Sequence, residues 1–212
     1  MIKDRKATAS FVDPQSSILV LLTRHSHSDC MRKVISKIVS GGQTGVDRAA
    51  LDVALDLGIP CGGWCPKGRL AEDGPIPERY PLAETTLPVY PQRTERNVRD
   101  SDGTLVLTMV DGANRVASAP RGSGTALTIQ LARRQKKPCL VVNLNDQPAI
   151  ERVRRWCRAN QIRILNVAGP RESENRGIYS KAVGFLRQLL EHSELSFGQK
   201  TALTKRRPEK LS

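Results

Sequence analysis

Aromatic residues are scarce: Trp, Tyr and Phe together make up 4% of the 212 residues. That argues against the aromatic-studded sheets on which RRM and OB-fold domains stack bases. No apolar run approaches the ~18–20 residues a membrane-spanning helix needs, so no membrane partner is expected. The run 18–22 is too short for the hydrophobic region of a secretion signal. Five cysteines, an odd number without repeating spacing, argue against a disulfide framework and for a reducing, cytoplasmic setting. His25, His27 and His192 lie towards the chain ends and make no catalytic triad. Acidic residues are in deficit, 21 against 34 basic, which leaves a net charge of +13. Such an excess suits a nucleic acid or a small anion alike, since Lys and Arg gain phosphate affinity by releasing counterions.

The charge is unevenly spread. Residues 1–30 carry +1 and residues 191–212 carry +2, so most of the excess belongs to the stretch between. Residues 1–30, with Ser, Asp and His clustered at 25–29, read as a flexible extension, and Met31 fits an internal start. Residues 31–192 read as one ligand-binding domain. Residues 193–212, with Lys205-Arg206-Arg207-Pro208, read as a basic flexible tail.

Between the tails, β-rich runs at Val34–Ser40, Thr104–Met109, Cys139–Leu144 and Ile162–Val167, and a weaker one at Ile59–Trp64, alternate with helical patterns. Val46, Ala50, Val53, Ala54 and Leu57 make one apolar helix stripe; Ile150, Val153, Trp156 and Cys157 make another; Ile178, Ala182, Phe185, Leu186 and Leu189 a third. Thr125–Lys136 reads as a fourth helix whose basic end suits the negative pole of its dipole. Thr94–Asp100 reads as a shorter one. Strands alternating with helices of this length predict a Rossmann-like α/β sandwich, a mainly parallel sheet flanked by helices. The proline-rich segment 65–92 shows little periodicity and reads as a connector or a ligand-covering lid.

Two glycine turns stand at strand ends. Ser40-Gly41-Gly42-Gln43-Thr44-Gly45-Val46-Asp47 joins the first strand to a helix, and Gly122-Ser123-Gly124-Thr125 opens the helix after the Thr104 strand. Glycine lets a ligand approach the backbone, and a helix N-terminus offers free N–H groups and a positive dipole end. In a parallel sheet both turns emerge at the C-terminal strand edge, where such sheets bind ligands. Neither is a Walker A loop nor a full dinucleotide fingerprint. Lys67 and Arg69 could supply further positive charge. Arg93 and Glu95 are candidate ligand or acid–base groups, or else an exposed helix face, and Asp102-Gly103 reads as a turn. Cys61 and Cys65 have no second pair for zinc; Cys65 is a buried hydrophobe or a weak pocket-lining metal candidate. Asp52 and Asp56 read as the solvated face of the first helix.

The stretch Ser40-Gly41-Gly42-Gln43-Thr44-Gly45-Val46-Asp47-Arg48-Ala49-Ala50-Leu51-Asp52 is followed by Gly62-Gly63-Trp64-Cys65-Pro66-Lys67-Gly68-Arg69 and Ala71-Glu72-Asp73-Gly74-Pro75-Ile76-Pro77. With Tyr80-Pro81-Leu82, the run Arg93–Asp102 and Gly122-Ser123-Gly124-Thr125-Ala126-Leu127, the chain resembles the molybdenum carrier family, the circularly permuted YpsA-like branch of the SLOG (Smf/DprA and LOG-like) superfamily. The resemblance spans Val34 to Leu190. It implies a Rossmann-like fold that binds molybdate, molybdenum cofactor or a nucleotide-like phosphate ester, often as a dimer or tetramer. LOG-type relatives hydrolyse nucleoside monophosphates through a P-G-G-x-G-T-x-x-E motif. Here that stretch is Pro120-Arg121-Gly122-Ser123-Gly124-Thr125-Ala126-Leu127-Thr128, with Arg121 replacing a glycine and Thr128 at the glutamate position. The phosphate cradle carries over; the hydrolase chemistry does not, unless Glu95 or Asp73 substitutes. A binding or carrier protein is therefore the leading expectation, a LOG-type N-glycosidase the alternative, and nucleic-acid binding, which rests on charge and distant kinship, the last.

Overall fold

The computed structural model describes residues 35–110, 123–146 and 150–191. The proposed N-terminal extension, the basic tail, Arg121 and Gly122 lie outside these residues. Chain order is β1 (Lys37–Val39), α1 (Val46–Asp56), β2 (Cys61–Cys65), β3 (Leu70–Ala71), β4 (Gly74–Pro75), β5 (Leu82–Glu84), α2 (Tyr90–Arg99) and β6 (Gly103–Thr108). It continues with α3 (Gly124–Arg134), β7 (Cys139–Asn143), α4 (Ile150–Ala159), β8 (Ile164–Ala168) and α5 (Ile178–Glu191).

Among the described residues six strands form one sheet in the order β5-β2-β1-β8-β6-β7, and every pairing in it is parallel. The last strand is central: β8 pairs with β1 on one side and β6 on the other. If counting starts at β8, the five strands β2-β1-β8-β6-β7 read 3-2-1-4-5, the order of a doubly wound nucleotide-binding sheet. The chain thus enters at the topological second strand and supplies the first one last. The switch point of such a sheet lies beyond the C-terminal ends of β8 and β6.

Burial follows the apolar stripes. Val46, Ala50, Val53 and Ala54 of α1, Val153 and Cys157 of α4, and Ile178, Ala182, Phe185, Leu186 and Leu189 of α5 join Ile38, Leu105, Leu107, Leu165 and Val167 in one core. Helix α5 packs against α1 and α4, and α2 packs against α3. Arg154 is folded in rather than solvated: its guanidinium donates to the carbonyls of Gln188 and Leu189, the orphan acceptors at the end of α5.

Segment 65–92 is more ordered than its prolines suggest. Leu70–Ala71 and Gly74–Pro75 pair as a small antiparallel hairpin with Glu72 and Asp73 at its tip. Leu82–Glu84 adds a parallel edge strand to β2. Helix α2 starts at Tyr90, earlier than its polar pattern indicates. Pro91 sits in its first turn, where a missing N–H costs nothing and a fixed φ favours the helix.

Leu165 in β8 is fully buried between the two halves of the sheet. Leu165→Ala is expected to lower unfolding free energy by about 2–5 kcal/mol in urea titrations. Leu55→Ala, at an exposed position of α1, should cost no more than about 0.5 kcal/mol in the same assay.

Candidate functional site

The first glycine turn is filled by the protein itself. A Cβ on Gly41 would overlap the Arg93 guanidinium, which donates from Nη1 to Asp47 Oδ2 at 2.7 Å. The side chains of this pair are 13% and 6% exposed. Gly42, at φ +75°, faces Leu82 and Ile76; a Cβ on Gly45, at φ +74°, would stand 2.5 Å from the Pro170 carbonyl oxygen. The N–H of Val46 donates to that same carbonyl. These glycines are required for close internal packing, and they leave no open cradle.

Anionic groups do sit at this helix start, and they belong to the chain. At the hairpin tip the Glu72 carboxylate accepts from the hydroxyls of Thr44 and Ser173. Asp73 pairs with Arg48, whose Nη2 lies 2.7 Å from Asp73 Oδ1. Partial burial pushes the Glu72 pKa up, but the Ser173 and Thr44 hydrogen bonds and the Arg171 charge outweigh it and hold the carboxyl below its ordinary 4.5. Hydrogen bonding from Arg48 likewise lowers Asp73. The segment expected to act as a lid is therefore a strap over the α1 turn. Its basic residues are spent elsewhere or turned out. Arg69 donates to the carbonyls of Ile76, Pro77, Tyr80 and Leu82, and Lys67 is exposed.

The open space lies one strand further on. A cavity of about 250 Å³ opens at the switch point, walled by Gly41, Gln43, Asp47, the α2 residues Tyr90, Arg93, Thr94 and Asn97, the α3 residues Gly124, Thr125, Leu127 and Thr128, and by Asn166, Ala168, Gly169, Arg171 and Glu174 from β8 and its following loop. A crossover helix runs antiparallel to its strands, so the start of α2, not its end, meets the C-terminal sheet edge. That brings Arg93 to the cavity and leaves Asp102 at the opposite edge, where it accepts from the N–H groups of Arg163 and Ile164.

The wall presents donors without acceptors. Gln43 is 3% exposed. Its Oε1 accepts from the N–H groups of Thr44 at 3.1 Å and Glu72 at 2.9 Å. Those two donors decide which way the amide points, because a flip would set N–H against N–H. Gln43 Nε2 is left with no partner among the described residues, as is Arg93 Nε. Each such buried donor costs about 1–3 kcal/mol until something accepts from it. At α3, Ser123 Oγ caps the Ala126 N–H at 3.2 Å, while the N–H groups of Gly124 and Thr125 have no intrahelical acceptor. Arg171 stands 5.0 Å over the Tyr90 ring and 3.9 Å from Glu174.

Of the residues expected at a ligand site, Gly41, Gln43, Asp47, Arg93, Gly124 and Thr125 border one cavity. Ser123 caps the helix beside it. Gly42, Thr44, Gly45, Lys67 and Arg69 do not reach the cavity. Glu95 is exposed and absent from the wall, because side chains two apart on a helix diverge. Cys65 is fully buried between Leu51, Ile76, Tyr80 and Leu82, and burial pushes its thiol pKa up. That environment disfavours the thiolate a metal would need. No group of three His, Cys, Asp or Glu that could hold a metal occurs among the described residues. Thr128, at the position of the LOG glutamate, donates its hydroxyl to the Gly124 carbonyl at 2.9 Å. Sequence reasoning missed the β8 loop altogether, although Gly169-Pro170 directly after a strand is a turn signal that could have flagged it.

The permuted strand order has a counterpart in sequence. The model of the circularly permutated YpsA SLOG family matches residues 38–190. This chain belongs to that family. The crystal structure of the "Putative molybdenum carrier protein" from Syntrophus aciditrophicus SB is 43% identical, with a TM-score of 0.66; the match covers 74% of this chain and 96% of that one. No curated protein matches. In this circularly permuted SLOG chain, the permutation is visible as β8, and the cavity stands where an unpermuted sheet of this order would bind its ligand. No described helix is long and apolar enough to cross a membrane.

Two outcomes are expected. Arg93→Leu leaves Asp47 buried and uncompensated, so it should destabilise by about 3–5 kcal/mol in denaturant titrations. The Glu72 strap should be fully docked above pH 4.5, the ordinary value of its carboxyl, and loosen as pH falls through the lower folded value. Hydrogen-exchange protection across residues 70–76, taken relative to the intrinsic rate at each pH, should fall over that acidic range in the wild type. In Glu72→Gln protection should be lower at neutral pH and flatter against pH.

Proposed function

We propose that this protein binds and carries a small oxyanion-bearing molecule in the cytoplasm: molybdate, molybdenum cofactor or a nucleotide-like phosphate ester. The site is the cavity beyond β8 and β6, and residues 31–192 form the ligand-binding domain, assembled as a homo-oligomer. One observation carries the reading: Gln43 Nε2 and Arg93 Nε are buried on that wall with no acceptor among the described residues. Those donors call for oxygen acceptors, and the N-terminus of α3 with Arg171 adds the preference for negative charge. The name of the Syntrophus protein supports a molybdenum-related cargo, carried over on 43% identity.

Molybdenum would be held through its oxygens, since the described cavity wall contains no Cys or His. Molybdate and phosphate are both tetrahedral oxyanions, so N–H donors discriminate poorly between them. Hydrolysis of an N-glycosidic bond has weaker support, because the wall's carboxylates are paired, Asp47 with Arg93 and Glu174 with Arg171, and Thr128 supplies none.

Isothermal titration with molybdate, phosphate, AMP and ADP-ribose tests the proposal. At least one should bind, and Arg171→Ala should weaken it about tenfold, the loss of one charge-assisted contact. Absence of heat and of thermal stabilisation with all of them would sink the carrier reading.

A further inference from the structure

The cavity has two chemically different ends. At one, α3 offers the N–H groups of Gly124 and Thr125 and the positive end of a helix dipole. At the other, Gln43 and Arg93 stand beyond β1, on the far side of β8 from β6. Two strand spacings separate β1 from β6, roughly 10 Å. The cavity volume of about 250 Å³ corresponds to roughly eight waters by their share of liquid volume. A lone tetrahedral oxyanion would fill a fraction of it and could not reach both ends.

Charge separates the ends further. The Arg93 guanidinium is matched by Asp47 at 2.7 Å, and Asp47 Oδ2 also accepts the Gln43 N–H at 3.4 Å. The Gln43–Arg93 end therefore carries no net charge, and a second anion there would face the Asp47 carboxylate. What it does carry is unspent donors. The neighbouring polar groups are already engaged: the Thr94 hydroxyl donates to the Tyr90 carbonyl, and the Asn97 amide exchanges hydrogen bonds with the Trp64 backbone. Gln43 Nε2 and Arg93 Nε remain without an acceptor among the described residues, and the pinned amide orientation makes the first a donor only.

We infer that Gln43 and Arg93 read a neutral oxygen acceptor, a ring carbonyl, on a ligand whose phosphate sits at α3. The inference rests on the oxyanion site proposed above and narrows its occupant to a phosphate ester of an oxo-substituted heterocycle. Gln43 is then a specificity-determining residue. An analogue with an amino group in place of the carbonyl sets N–H against N–H and leaves two buried donors unpaired.

Titration calorimetry on the full chain tests this with inosine 5′-monophosphate, adenosine 5′-monophosphate and ribose 5-phosphate. The first two differ at the purine carbonyl, and the third has no base. The wild type should prefer the inosine ester about tenfold or more. Gln43→Glu keeps the oxygen that accepts from Thr44 and Glu72 and replaces the donor with an acceptor. Gln43→Met removes the donor without adding charge. Both variants should lose that preference for the inosine ester. Thermal melts show whether each variant is folded, and one folded variant suffices. Binding of ribose 5-phosphate with equal affinity for the two nucleotides, or a preference that survives in a folded variant, overturns this inference and leaves the oxyanion site standing. No binding of any of the three overturns this inference; the oxyanion site itself also falls if molybdate, phosphate and ADP-ribose fail to bind as well.

Discussion

The structure depends on one strand. Without β8 the sheet would be two fragments, β5-β2-β1 and β6-β7, with no hydrogen bonds between them. Its pairing with both halves buries Leu165 and Val167 completely and sets Asn166 at the floor of the cavity, its Nδ2 donating to Thr104 Oγ1 at 3.2 Å. It also delivers Gly169 to a place where a Cβ would stand 2.5 Å from Val46 Cγ2, which explains the close approach of the β8 loop to the start of α1. Because this strand comes last in the chain, the central pairings are made between residues about 60 to 130 positions apart. Loop closure must precede them, so the centre of the sheet is its most non-local part.

A second interaction places the functional wall. The Arg93–Asp47 pair ties the start of α2 to the start of α1, over a glycine that has no side chain to block it. A buried pair of this kind adds little net stability once desolvation is counted. It does hold the guanidinium in one position, with Nη1 engaged and Nε buried without an acceptor among the described residues. Around it the hairpin strap uses its own carboxylates to occupy the turn that otherwise invites an anion. The same physics that makes a helix N-terminus attractive to a ligand has here been satisfied internally at α1 and, among the described residues, left unsatisfied at the first N–H groups of α3.

That contrast marks where local reading succeeds and fails. Apolar periodicity located α1, α4 and α5 because burial on one helix face repeats every 3.6 residues whatever the partner. It underestimated α2, whose exposed polar face and first-turn proline hide the start at Tyr90. Gly41, Gly42 and Gly45 signal close approach in sequence, but glycine gives the same signal for a ligand and for Arg93, Leu82 or Pro170. Arg69 looks like a free cation next to Lys67; only folding shows that it is committed to four carbonyls.

The sequence by itself determined the α/β class, the alternation of elements, the family motifs and the presence of two glycine turns at strand ends. Those are local properties, set by periodicity and by backbone conformations that few residues tolerate. The tertiary structure decided which turn is open, which basic residues face a cavity, and which donors lack acceptors. It did so because hydrogen-bond satisfaction is an account kept across the whole fold. The Gln43 amide is assigned by Thr44 beside it and by Glu72, 29 residues away, and neither its orphan nitrogen nor the β8 loop that walls the cavity can be inferred from neighbours in the chain.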